Sequence, residues 1–300
     1  MKHSKIAIIG AGFVGSTTAY ALLLKKITAE IILVDIDTNR CHGEVLDLSD
    51  ALSFNGTSYI RRGNAQDAAQ ADIIIIAAGK PQKPSQTRME LLTANKPIID
   101  LIFNAIKPIN SQAIIIIVTN PLDILTYYAQ TISGLPKNQL FGTGTFLDTL
   151  RLRGIISEKA HVSKESINAY VLGEHGDSQF VAWSSATISG IPINMFPDID
   201  TQNFSFIEQK VKNIAYEIIS CKGATYFGIA TCVAIMCEAI VFNQQLVMPL
   251  SVYSEKYKVC LSLPAVLGEN GIEKVLPLPL NDSEQEQLDN SAHQLRIHCS

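Results

Sequence analysis

The chain alternates between short, wholly apolar runs and longer stretches in which apolar residues recur every three or four positions. The runs are KIAIIG at 5–10, AEIILVD at 29–35, ADIIIIAAG at 71–79 and AIIIIVTNP at 113–121. They are too short to span a bilayer and continuous rather than alternating, as strands buried on both faces of a parallel sheet are. Helix-forming stretches lie between them at about 16–26, 89–106 and after Pro121. This order predicts an α/β fold, a Rossmann-type doubly wound parallel sheet with ligands at the C-terminal ends of its strands.

Beyond FGTGTFLDTLRLRG (141–154) the alternation breaks down. A hairpin-like SSATISGIPI, helices near 204–219 and 225–242, and a strand pair turning at Asn270-Gly271 follow. A last helix starts near Asp282, with Ser283 and Glu286 at capping-box spacing. The expected organisation is a dinucleotide-binding domain over 1–142 and a mixed α+β substrate-binding and catalytic domain over 143–300.

The glycines at the first turn sharpen the picture. Gly10, Gly12 and Gly15 form G-x-G-x-x-G between the first apolar run and a helix. Gly10 suits a tight turn, Gly12 lets backbone approach a pyrophosphate, and Gly15 lets the helix pack close to the strand, with its positive end facing the phosphates. The second run ends in Asp35, whose carboxylate can accept hydrogen bonds from a ribose and would repel a 2′-phosphate, so NAD is favoured over NADP. A packing turn with Asp35 as a helix cap is the competing reading.

Composition then excludes several classes. Three hundred residues with 47% apolar and 17% charged content make a globular chain with room for about two domains. A net charge of −4, with both signs mixed along the chain, offers no stripe for nucleic acid and no tract for a membrane surface. The six cysteines form no C-x-x-C pair, so neither a metal site nor a disulfide framework is expected. The N-terminus enters a strand directly, which makes export improbable and a cytoplasmic protein the expectation.

Six motifs in order, GAGFVGS with Asp35, PQKPSQTR, VTNPLD, GTGTFLDTLRLR, GEHGDSQFVAWS and KGATYFGIA, resemble the L-lactate and malate dehydrogenase family over nearly the full length. The resemblance implies an NAD-dependent oxidoreductase acting on a small 2-oxo or 2-hydroxy acid, commonly a homotetramer built from dimers. The expected cofactor contacts are Gly10, Gly12, Phe13, Val14, Gly15, Asp35, Ala78, Gly79, Thr119, Asn120 and Ile229. Asn120 belongs at the nicotinamide end, next to the substrate.

His175, in GEHGD, lacks the partner spacing of a metal ligand and could be a core histidine. Best of all it suits proton transfer, because alcohol oxidation needs a group titrating near neutrality. By resemblance Asp148 is the carboxylate that steadies its ring, with a helix cap as the alternative. Arg151, one helical turn on, would clamp the substrate carboxylate, or merely pair with Asp148. Arg88 closes the polar lid segment 80–87 and would polarise the substrate carbonyl, or be a surface arginine. Thr225 and Ile229, one helical turn apart, would face substrate and nicotinamide, or simply pack. Gln82 matches the position facing the substrate's third carbon, where malate enzymes carry arginine, and its neutral amide points to pyruvate.

The expected reaction is therefore reversible reduction of pyruvate to L-lactate by NADH. Malate or branched-chain 2-hydroxyacid oxidation, or a non-catalytic NAD-binding protein, are the alternatives. Ser85 and Gln86 depart from the Gly-Glu common in lactate enzymes. Arg153 matches the arginine of the fructose 1,6-bisphosphate site in allosteric relatives, but Asn168 replaces its histidine, so little activation is expected.

Overall fold

The isoleucine runs are strands, and their side chains divide by parity between two cores. A computed structural model describes residues 5–28, 30–52, 58–81 and 87–299. The first half runs β1 (Lys5–Ile9), α1 (Phe13–Lys25), β2 (Glu30–Val34), α2 (Thr38–Leu52), β3 (Tyr59–Arg62), α3 (Ala65–Ala69), β4 (Ile73–Ile76), α4 (Arg88–Ala105), β5 (Ile114–Ile117), α5 (Leu122–Ser133) and β6 (Leu140–Gly142). It continues with α6 (Phe146–Ala160) and the two-residue strands β7 (Ile167–Asn168), β8 (Val171–Leu172), β9 (Phe180–Val181), β10 (Thr187–Ile188) and β11 (Ile191–Pro192). The last part holds α7 (Phe204–Lys222), α8 (Phe227–Val241), β12 (Leu246–Ser254), β13 (Val259–Gly268), β14 (Gly271–Val275) and α9 (Asp282–Cys299).

Ile6, Ile8, Ile73, Ile75, Ile114 and Ile116 face one core, shared with α1 and α8. Their neighbours Ala7, Ile9, Ile74, Ile76, Ile115 and Ile117 face the other, shared with α4, α5 and α9. Both sides of each strand are thus buried, which is why the runs do not alternate. A third core lies in the second half, around α6, the short strands and α7.

Among the described residues one sheet holds nine strands in the order β14-β13-β12-β6-β5-β4-β1-β2-β3. From β3 to β6 the pairing is parallel. The order β3-β2-β1-β4-β5-β6 reverses direction between β1 and β4, which opens a crevice at their C-terminal ends. The large sheet does not stop at residue 142: β12 joins β6 antiparallel through Ser251 and Gly142, and β13 and β14 extend it. No local pattern announces that extension, because a long-range pairing leaves none and Pro249 and Pro264 argue against strand interiors.

Three local expectations are corrected. Helix α1 begins at Phe13, not Ser16, with Gly12 at its cap position. Helix α8 begins at Phe227, so Thr225 precedes the helix instead of lying one turn from Ile229 on it. The capping box of α9 uses Asn281 and Glu284: the Asn281 side chain accepts the Glu284 amide at 2.9 Å and the Glu284 carboxylate accepts the Asn281 amide at 3.1 Å. Glu284 serves there instead of Glu286 because it is buried and also holds the Ser184 amide at 2.8 Å.

Candidate active site

At the crevice the loops after β1 and β4 touch. Gly10 has φ +109°, and a Cβ on it would lie 2.6 Å from the Ala78 amide nitrogen. Gly15 carries the helix so close that a Cβ would fall 1.7 Å from the Gly10 carbonyl oxygen. Gly12 differs, since a Cβ there would meet nothing within 4 Å. The start of α1 is therefore open beside Gly12, and no side chain caps it. Asp35 follows β2 and faces this turn, where it accepts the Ala11 amide at 2.6 Å and the Asp37 amide at 2.9 Å. It is not the cap of α2; Asp37 fills that role by accepting the Arg40 amide at 3.0 Å. Phe13 is exposed and stacks on Tyr226, with ring centroids 5.3 Å apart.

The loops after β4 and β5 are stapled by a buried residue of α4. Asn95 accepts the Lys80 amide at 2.7 Å and donates to the Asn120 carbonyl at 2.7 Å. Thr119 donates its hydroxyl to the Ala78 carbonyl at 2.8 Å, so its side chain faces inward while its methyl abuts Gly79.

Eight of the expected residues, Val14, Arg88, Asn120, Asp148, Arg151, His175, Thr225 and Ile229, line one cleft. Within it His175 Nδ1 meets Asp148 Oδ2 at 2.9 Å, and Arg151 Nη1 donates to Asp148 Oδ1 at 3.1 Å. Asp148 sits in the first turn of α6, so Arg151 projects from the same face, and the carboxylate joins the two groups. Arg88 opens α4, where a capping box between Thr87 and Glu90 fixes the first turn. Its guanidinium pairs with Glu174 and donates through Nη2 to the His175 carbonyl at 2.9 Å. Two readings of Arg151 thus hold together: it is paired with Asp148 and it lines the cleft. Gln82, Ser85 and Gln86 lie outside the described residues.

Comparisons with known proteins agree with this arrangement. Residues 4–142 match the lactate/malate dehydrogenase NAD-binding domain, and residues 145–299 match the lactate/malate dehydrogenase alpha/beta C-terminal domain. The chain belongs to the lactate/malate dehydrogenase family. It is 45% identical to L-lactate dehydrogenase A of Rhizopus oryzae, over 98% of this chain and 92% of that one. It is 44% identical to the L-lactate dehydrogenase of Acetivibrio thermocellus, over 97% and 95% of the two chains. Two solved structures superpose with TM-scores of 0.95: a lactate dehydrogenase from a Medee basin deep-sea metagenome library, 38% identical over 99% of this chain and 98% of that one, and the minor L-lactate dehydrogenase of Enterococcus mundtii, 34% identical over 100% and 98%.

The electrostatics of the cleft follow from its geometry. Desolvation is the largest influence on His175 and lowers its pKa, but the charge and hydrogen bond of Asp148 outweigh it and the ring titrates above its ordinary value. Asp148 is 4% exposed; burial raises its pKa, and the His175 and Arg151 charges together hold it below the ordinary carboxylate value. The carboxylate accepts from Nδ1, which leaves Nε2 as the ring nitrogen available to a substrate.

Several contributors carry no local sequence signal. Glu174 and Arg88 are 86 residues apart, and Lys212 of α7 donates to the Asp177 carbonyl at 3.1 Å at the cleft wall. Asp123, in VTNPLD, accepts the His175 amide at 2.7 Å. Arg153 donates to the Ala169 carbonyl at 3.2 Å, and Asn168 is exposed on β7. All six cysteines are unpaired, four of them buried, with Cys221 exposed. Among the described residues no helix is long and apolar enough to cross a membrane, and no group of three His, Cys, Asp or Glu residues could hold a metal ion.

Proposed function

We propose that the chain reversibly reduces pyruvate to L-lactate with NADH. The observation that carries this reading is the triad in the cleft: His175 is 2.9 Å from Asp148, which is 3.1 Å from Arg151, with Val14 and Ile229 lining the same cleft. The open space before Gly12 and the Asp35 carboxylate just after β2 suit NAD, with Gly10, Gly15, Phe13, Ala78, Gly79 and Thr119 forming the loops around it. When bound, NADH supplies the hydride.

The protein's own groups do the rest. Arg151 offers paired N–H donors to the substrate carboxylate, which fixes the face of the keto carbon presented to the cofactor. Arg88 carries five N–H donors, of which Glu174 and the His175 carbonyl take two, and the others can meet charge developing on the keto oxygen. His175 gives that oxygen its proton from Nε2, while Asp148 holds Nδ1 and favours the charged ring beforehand. Asn120 and Thr225 complete the substrate wall. Gln82, a neutral amide, leaves a second carboxylate such as that of oxaloacetate unpaired.

The family resemblance supports a homotetramer or homodimer, and six unpaired thiols suit a reducing cytoplasm. NADH oxidation followed by absorbance against pyruvate, oxaloacetate and 2-oxoisocaproate tests the reaction. Pyruvate should be preferred at least tenfold in kcat/KM. Preference for oxaloacetate would overturn the Gln82 argument, and no absorbance loss with any acid would overturn the catalytic reading.

A further inference from the structure

The Asp123 carboxylate is 2% exposed in the first turn of α5, three residues after Asn120. Oδ2 accepts the main-chain N–H of His175 at 2.7 Å, and Oδ1 accepts the hydroxyl of Ser251 at 2.6 Å. Ser251 stands on β12 opposite Gly142 of β6, at the seam where the antiparallel strands join the parallel sheet. One side chain therefore ties α5, that seam and the turn bearing His175.

We propose that Asp123 is a positioning residue for His175: by gripping the His175 amide it sets where the imidazole stands between Asp148 and the substrate. The inference rests on the proposed pyruvate reduction and deepens it. Two neutral partners would be served as well by an asparagine, which could accept from the amide and donate to the hydroxyl, so the charge needs another reason. Burial pushes the Asp123 carboxyl up to about 6, while the Ser251 hydroxyl, the His175 amide and the His175 charge act to keep it lower. Ionised, it joins Asp148 in favouring the protonated ring of His175, against the opposing charge of Arg88. Glu174 on the same turn, Cys260 on β13 and Cys299 on α9 are the other titratable groups coupled to it.

Asp123→Asn in the full-length protein keeps the shape and removes the charge. In histidine-labelled protein, with the His175 signal identified by its loss in His175→Asn, the ring's titration midpoint should fall by half a pH unit or more. Pyruvate turnover at neutral pH should fall at least fivefold, with the KM for NADH within twofold of native and the kcat/KM profile moved to lower pH. Asp123→Ala, which also releases the amide, should lose a further tenfold; if it does not fold, Ser251→Ala replaces it and should lower turnover without moving the ring's midpoint as far as Asp123→Asn does. Native turnover with a native pH profile in Asp123→Ala, or in Ser251→Ala where that variant replaces it, overturns the proposal; an unmoved midpoint in Asp123→Asn beside a loss of turnover in Asp123→Ala supports the grip without the charge. A moved midpoint in a protein whose native form turns over no 2-oxo acid leaves the positioning role standing and rejects pyruvate reduction.

Discussion

Arg88 lies so close over Gly176 that a Cβ on that glycine would fall 1.5 Å from the guanidinium Nη2. The absent side chain makes the space in which Arg88 reaches the His175 carbonyl and Glu174. Gly176→Ala should displace the guanidinium from the cleft. Removing one donor to a developing oxyanion costs roughly 10²–10³ in rate, so displacement should lower pyruvate kcat by at least tenfold while NADH binding stays within a few-fold of native. Stopped-flow turnover with fluorescence titration of NADH checks both; native kcat would show that the guanidinium's place over Gly176 does not matter to turnover.

The glycines of the first turn divide by what surrounds them. Gly12→Ala meets no protein atom within 4 Å, so it should fold and melt as the native chain does yet bind NADH at least tenfold more weakly, because the methyl group occupies the phosphate's place. Gly10→Ala is strained at φ +109° and collides with Ala78, so it should lose stability as well as binding. Thermal melts beside NADH titrations separate the two; equal melting losses would remove the distinction.

The Asp148–His175 pair sets a pH dependence of definite sign. His175 titrates above its ordinary value, with Asp148 outweighing desolvation. Reduction needs the charged ring, so kcat/KM for pyruvate should hold past about pH 6.5, the ordinary histidine value, and fall as pH rises through the folded-state midpoint. Lactate oxidation needs the neutral ring and should rise across the same window. The pair's contribution to stability is full between the unfolded aspartate and unfolded histidine values, is lost as pH rises through the raised His175 value, and is lost as pH falls through the depressed Asp148 value. Asp148→Asn should move the pyruvate midpoint to lower pH; profiles in both directions test this, and an unmoved midpoint contradicts it.

Much of this is legible in the sequence itself. The isoleucine runs, unbroken because both strand faces are buried, gave the parallel sheet, and the G-x-G-x-x-G turn with Asp35 marked its switch point. His175 suggests proton transfer by its own chemistry, whereas Asp148 and Arg151 are singled out by motifs that resemble the family's. What stayed hidden depends on distance along the chain. The Arg88–Glu174 pair, the Asn95 staple and the grip of Asp123 on His175 join elements that no local periodicity relates. Ser283 and Glu286 had the right spacing for a cap, yet Asn281 and Glu284 won because Glu284 also holds Ser184 in the interior. Thr225 reaches the cleft from the loop before α8, where helical spacing does not apply.

His175→Asn is the most direct test of the chemistry. If His175 carries the proton, the variant should bind NADH with native affinity while pyruvate turnover falls by several orders of magnitude, because the amide cannot supply a proton near neutral pH. Turnover within tenfold of native, with NADH binding intact, would show that another group moves the proton.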